Sequence, residues 1–125
     1  MEKAKRAWIY CYIDAPEDTH GVLKGQHEKL DSYANQMCFT VVGSSHDLGK
    51  GLTLNRPGLT ELMEVAIIRK MDVLIIDSIN RIGCNTKLVL EFLHRLNGYG
   101  VKVYSPLEGE INIEHQKLMI PSVLR

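Results

Sequence analysis

A chain of 125 residues with 45% apolar and 24% charged residues has the make-up of one soluble globular domain, large enough to bury a core and too ordinary in composition for a disordered or fibrous protein. Fifteen basic and fifteen acidic residues cancel to a formal net charge of zero. Sequence-independent affinity for nucleic acid comes from Lys and Arg neutralising phosphates, so a neutral domain without a basic run is expected to bind DNA weakly by itself. Three widely spaced cysteines (Cys11, Cys38 and Cys84) show no metal-ligand spacing, and their odd number, with no signal peptide, suits a reducing cytosol. The longest apolar runs are strand-length, so no membrane span is expected.

In chain order, Ala7 to Ile13 is an apolar and aromatic run rich in β-formers, read as a strand buried on both faces and stopped at Asp14-Ala15-Pro16. Residues 17–25 read as loop. From Gln26 the period changes: Leu30, Tyr33, Ala34 and Met37 recur at helical spacing, giving an amphipathic helix of about three turns. Phe39 to Gly43 reads as a second strand. Ser44 to Asn55, with two glycines and little periodicity, reads as a long mobile loop, a kind of segment that is often functional. Pro57 suits a first helical turn, and Leu59, Leu62, Met63, Ala66 and Ile67 form that helix's buried stripe, with Arg69-Lys70 at its end. Val73 to Asp77 is a third buried strand, followed by the polar turn Ser78-Ile79-Asn80, then Arg81 and Gly83. A helix from about Asn85 to Asn97 ends at Gly98 and Gly100; Val101 to Tyr104 is a fourth strand, and a short edge strand is placed near Ile111 to Ile113. Lys117 to Arg125 is apolar, with Pro121 limiting any helix, and Leu118, Met119 and Ile120 are read as an apolar patch suited to self-association or to covering by a further C-terminal segment.

The alternation β-α-β-α-β-α-β argues for a three-layer α/β sandwich with a mostly parallel sheet of four to five strands. Right-handed crossovers then bring Asp14, the 44–56 loop and the 77–84 loop to one face, where open α/β sheets meet their ligands. Arg81 in that position can grip phosphate through its planar fork, or simply close a strand-to-helix loop. Asp14 and Asp77, at neighbouring strand ends, can be read as ligands for one Mg²⁺ in a small phosphoesterase, or as a turn residue and a strand-end partner of Arg81. The five histidines are scattered, with no paired spacing. Asp14-Ala15-Pro16 supplies no glycine-rich phosphate turn for a nucleotide-binding domain.

Several segments in this order carry a more specific likeness. Tyr10-Cys11-Tyr12-Ile13-Asp14, Gln26 with Leu30 and Tyr33-Ala34, Leu54-Asn55-Arg56-Pro57-Gly58-Leu59, and Asp72 to Ile76 followed by Ser78-Ile79-Asn80-Arg81-Ile82-Gly83-Cys84 all take part. Across roughly residues 7 to 107 the sequence resembles the catalytic domain of the serine recombinases, the resolvase/invertase family. The resemblance implies a site where a serine hydroxyl attacks a DNA phosphodiester and forms a 5′-phosphoserine link, with arginines around the pentavalent transition state. Here the nucleophile position holds Asp14, the arginine two residues before it is Tyr12, the acid of the family's Asp-Arg pair is Asn80, the arginine three beyond Arg81 is Cys84, and the serine of the mobile loop aligns with Lys50. Arg56 and Arg81 remain, and with Lys50 they are the expected phosphate-binding residues.

A carboxylate brings negative charge toward phosphate, and even one lost transition-state donor is worth about 3 kcal/mol. No serine-recombinase cleavage is therefore expected. The reading is of a cytoplasmic, recombinase-related module that binds DNA or a recombinase-like protein, with homo-oligomers open, no membrane and no cofactor. The alternatives are an active family member with altered chemistry and the Asp14–Asp77 phosphoesterase. With Pro121 where the family's long dimerisation helix should begin, residues 1–125 are expected to form a single domain without that helix or a DNA-binding domain.

Overall fold

The computed structural model describes residues 4–13, 15, 18, 20–49, 56–82 and 86–111. Its central strand, β1 (Arg6–Ile13), is buried from Ala7 onward. Alternate side chains serve opposite faces of the sheet. Ala7, Ile9 and Cys11 pack with Leu30 and Ala34 of helix α1 (Val22–Gln36). Trp8, Tyr10 and Tyr12 pack on the other side with Leu59, Leu62 and Met63 of α2 (Pro57–Ile67) and with Phe92, Leu93 and Leu96 of α3 (Thr86–Gly98). The result is the expected three-layer sandwich.

Parallel neighbours flank β1: β2 (Thr40–Leu48) at the sheet edge and β3 (Val73–Ile75) on the inner side. Beyond β3 come the parallel β4 (Lys102–Ser105) and the antiparallel β5 (Gly109–Ile111), giving the order β2-β1-β3-β4-β5. The sheet is thus mostly parallel and five-stranded. The order reverses between β1 and β3, so the crevice outside their C-terminal ends is the natural ligand position. At the opposite end Arg6 pins β1 to β3: its backbone N–H and guanidinium donate to the Asp72 carboxylate at 2.8–3.1 Å.

Four expectations shift. Helix α1 begins at Val22, a turn before Gln26, because Asp18 accepts from the backbone N–H groups of Val22 (2.8 Å) and Leu23 (3.1 Å) and so caps the extra turn. The segment after Gly43, read as loop, continues as strand to Leu48. Its inward residues are polar: Ser45 accepts from the Trp8 indole N–H at 3.0 Å and donates to the Gly58 carbonyl at 2.9 Å, so hydrogen bonding replaces the apolar alternation that betrays a strand. Strand β3 is shorter than Val73–Asp77, although the Ile76 N–H still bonds the Tyr104 carbonyl at 3.0 Å. The edge strand lies at Gly109–Ile111, two residues before its expected place.

Candidate functional site

Helix α2 begins without a capping side chain: Arg56 stands at its N-cap and Pro57 follows. Pro57 has no N–H to satisfy, but the amides of Gly58 and Leu59 need acceptors. Asp47, 6% exposed on β2, supplies both, accepting from Gly58 N–H at 2.9 Å and Leu59 N–H at 3.1 Å. The Thr60 N–H closes the turn on the Arg56 carbonyl at 2.9 Å. Helix and carboxylate approach so closely that a Cβ on Gly58 would lie 2.6 Å from Asp47 Oδ2 and 2.7 Å from the His46 carbonyl oxygen, which explains the glycine after Pro57.

Asp47 also accepts from the Tyr10 hydroxyl at 2.9 Å. Burial pushes the Tyr10 phenol far above its usual range; Arg56 opposes the shift and Asp47 adds to it, so the phenol stays protonated and donates. The Tyr10 oxygen in turn accepts from Arg56 Nη1 at 3.1 Å. Arg56 is itself 6% exposed. It donates further to the carbonyls of Arg81 (3.4 Å) and Ile82, and its guanidinium lies over the Tyr12 ring, 4.2 Å from the centroid. The Tyr12 hydroxyl donates to the Gly49 carbonyl.

The second arginine sits in a wetter place. Arg81 closes a short 3-10 turn, Ile79–Arg81, after β3, and its side chain is 33% exposed. Nη1 donates to the Tyr12 carbonyl at 3.1 Å and Nη2 to Asp77 Oδ2 at 3.1 Å, while Nε is buried with no hydrogen-bond partner among the described residues. Lys29 of α1 reaches the other Asp77 oxygen at 2.8 Å. Burial raises the Asp77 carboxyl, but the hydrogen bonds from Lys29 and Arg81 outweigh it and leave the group below the usual carboxylate range. Gln26 holds the same strand end: its side-chain oxygen accepts from Tyr12 N–H at 2.9 Å and its amide donates to the Tyr12 carbonyl at 3.2 Å. Cys11, one residue earlier on the α1 face, is buried, and that burial pushes its thiol up to about 12.

Of the sequence-predicted site residues, Tyr12, Arg56 and Arg81 therefore converge at the C-terminal ends of β1 and β3. Asn80 is beside them in the 3-10 turn, exposed. Asp14, Lys50 and Cys84 lie outside the described residues. Asp77 is placed as the partner of Arg81, and among the described residues no group of three or more His, Cys, Asp or Glu side chains is arranged to hold a metal ion. Sequence reasoning gave no role to Tyr10, Gln26, Lys29 or Asp47. For Asp47 a signal existed: a proline-started helix with no capping side chain of its own requires an acceptor from elsewhere, and an acid lies in the polar stretch before it.

Fold and site together define an α/β sandwich with a polar, arginine-bearing crevice at the strand-order reversal of a mostly parallel sheet. The chain belongs to the resolvase N-terminal domain family, whose model, described as "Resolvase, N terminal domain", matches residues 9–122. It is 25% identical over 108 residues to serine recombinase PinR of Escherichia coli (strain K12). That match takes in 86% of this chain and 53% of PinR, so the chain spans about half the length of the curated relative. Solved structures share the fold, two of them as follows. The N-terminal catalytic domain of TP901-1 integrase superposes with a TM-score of 0.74 at 20% identity, covering 84% of this chain and 79% of that one. A resolvase family site-specific recombinase from Streptococcus pneumoniae gives a TM-score of 0.74 at 22% identity, covering 93% and 80%. No helix among the described residues is long and apolar enough to cross a membrane.

Proposed function

We propose that this chain is a recombinase-family domain that does not cut DNA and acts instead as a binding module for a recombinase-like protein. The observation that carries the reading is the state of Arg56. A transition-state arginine must present donors to a phosphate, whereas this one is 6% exposed, with its Nη groups on Tyr10, Arg81 and Ile82 and its face on Tyr12. Tyr12 takes part in this enclosure from a position where the family resemblance calls for an arginine. Asp14 at the nucleophile position, Asn80 and Cys84 remove the remaining groups that the chemistry needs.

A protein partner is preferred to DNA because the chain is formally neutral, and Arg81 and Lys29 already share the Asp77 charge. The alternative, DNA phosphate gripped by Arg81, rests on that side chain's partial exposure.

Incubation with supercoiled and nicked DNA, quenched in denaturant and run on a gel, tests the absence of cleavage. No covalent protein–DNA adduct is expected. An adduct that disappears in Asp14→Ala would show the carboxylate acting as nucleophile and overturn the reading. Salt-dependent DNA binding lost in Arg81→Ala would move the partner from protein to DNA.

A further inference from the structure

On the opposite face of the sheet from Arg56, a cleft of about 460 Å³ opens between the first turns of α1 and the outer strand β2. Its floor is apolar, made by Cys11, Leu23 and Leu48. The strand register sets Cys11 beside His46 and Ile9 beside Ser44, so His46 and Ser44 share the α1 face with Cys11. Lys24 and His27, three residues apart on α1, form the facing rim.

Among the described residues, Lys24, His27 and His46 take part in no ion pair, and their side chains in no hydrogen bond. The acid in the cleft, Asp18, has both carboxylate oxygens on the backbone N–H groups of Val22 and Leu23. It therefore neutralises the helix end and leaves the lysine unbalanced. The Cys11 thiol is held protonated by burial, so the floor carries no thiolate to repel an anion. Cys11, Asp18, His27 and His46 are of metal-ligating type, but among the described residues no three such side chains are arranged to hold a metal.

We infer that this cleft binds a small phosphate monoester with an apolar body, Lys24, His27 and His46 addressing the three terminal oxygens and Cys11, Leu23 and Leu48 covering the body. Three donors lining one cleft from two elements suit a phosphate better than a planar carboxylate, and the apolar floor favours an organic ester over the free ion. The site shares no side chain with the Arg56 and Arg81 networks, so it stands or falls apart from the proposed function.

The test is titration of the ¹⁵N-labelled full chain with phenyl phosphate, inorganic phosphate and benzoate at constant ionic strength, followed by amide spectra. Saturable shifts centred on Cys11, His27 and His46 are expected. Phenyl phosphate should bind at least about tenfold tighter than inorganic phosphate, the 1.4 kcal/mol that about 55 Å² of buried apolar surface supplies. The double variant Lys24→Ala/His46→Ala, both positions exposed, should weaken it by about tenfold or more, consistent with losing charge-assisted hydrogen bonds. Leu48→Glu should do the same by placing a carboxylate in the cleft. Shifts that grow linearly without saturation, or that centre on Tyr12 and Arg81, overturn the assignment. So does undiminished affinity in the double variant, and benzoate binding as tightly as phenyl phosphate overturns the phosphate class.

Discussion

The two arginines of the crevice face the same strand end and live under different physics. Arg56 is enclosed, and its network runs through Tyr10 and Asp47 to the first amides of α2 without reaching solvent. Arg81 is a third exposed, shares Asp77 with the exposed Lys29, and touches the body of the protein through one backbone carbonyl. In a low-dielectric interior an unmade hydrogen bond is expensive, whereas exposed ion pairs are weak because water and salt screen them. Two arginines at one strand end are thus bound into the fold to different degrees: Arg56 is tied into the buried network, and Arg81 keeps a third of its side chain open to contact.

The largest effect expected from this contrast is in Asp47→Ala. It leaves two helix amides and the Tyr10 hydroxyl without their acceptor, at a cost of about 3–5 kcal/mol. Asp77→Ala, by contrast, should cost about 1 kcal/mol or less, since its partners can turn to water. Urea unfolding of the two variants side by side checks this; equal losses would erase the distinction between the regions.

Gly58→Ala comes next, at about 1–3 kcal/mol, because the new methyl meets Asp47 and the His46 carbonyl inside contact distance. Combining it with Asp47→Ala should give less than the sum, since the carboxylate it strikes has gone; strict additivity in the double-mutant cycle would show that the clash lies elsewhere.

The smallest effect is acid dependence at the wetter site. A carboxylate whose folded pKa lies below its unfolded value contributes stability that is whole above the unfolded pKa, about 4, and is lost as pH falls through the folded one. Asp77 is such a group, and so is Asp72, held down mainly by its hydrogen bonds from Arg6. Asp77→Asn should therefore shallow the loss of stability below about pH 4 without abolishing it, since Asp72 contributes in the same direction. An unchanged acid limb in thermal melts across pH 2–6 would show that Asp77 is not linked to folding.

Much of this was legible in the chain. Long periodic segments such as Leu59 to Ile67 and Leu88 to Leu96 gave their helices, and the buried run from Ala7 to Ile13 gave the central strand, because the hydrophobic period is written locally. Arg56 and Arg81 were marked as a pair by the segments that resemble the family. What failed was every inference that needed polar residues to be inside. Ser45 and Asp47 looked like loop because their burial is compensated by Trp8, Tyr10 and Gly58, partners remote in sequence. Helix α1 was cut short because its cap, Asp18, sits four residues before the first amide it serves.

The sequence by itself determined the layer architecture and the family, since these follow from local periodicity and residue identity. Only the tertiary structure decided what Arg56 and Arg81 touch. Whether an arginine points at a ligand or at its own backbone depends on which carbonyls, rings and carboxylates the folded chain brings within hydrogen-bonding distance of it. Arg56 finds the Ile82 carbonyl and the Tyr12 ring, contacts that no local pattern records.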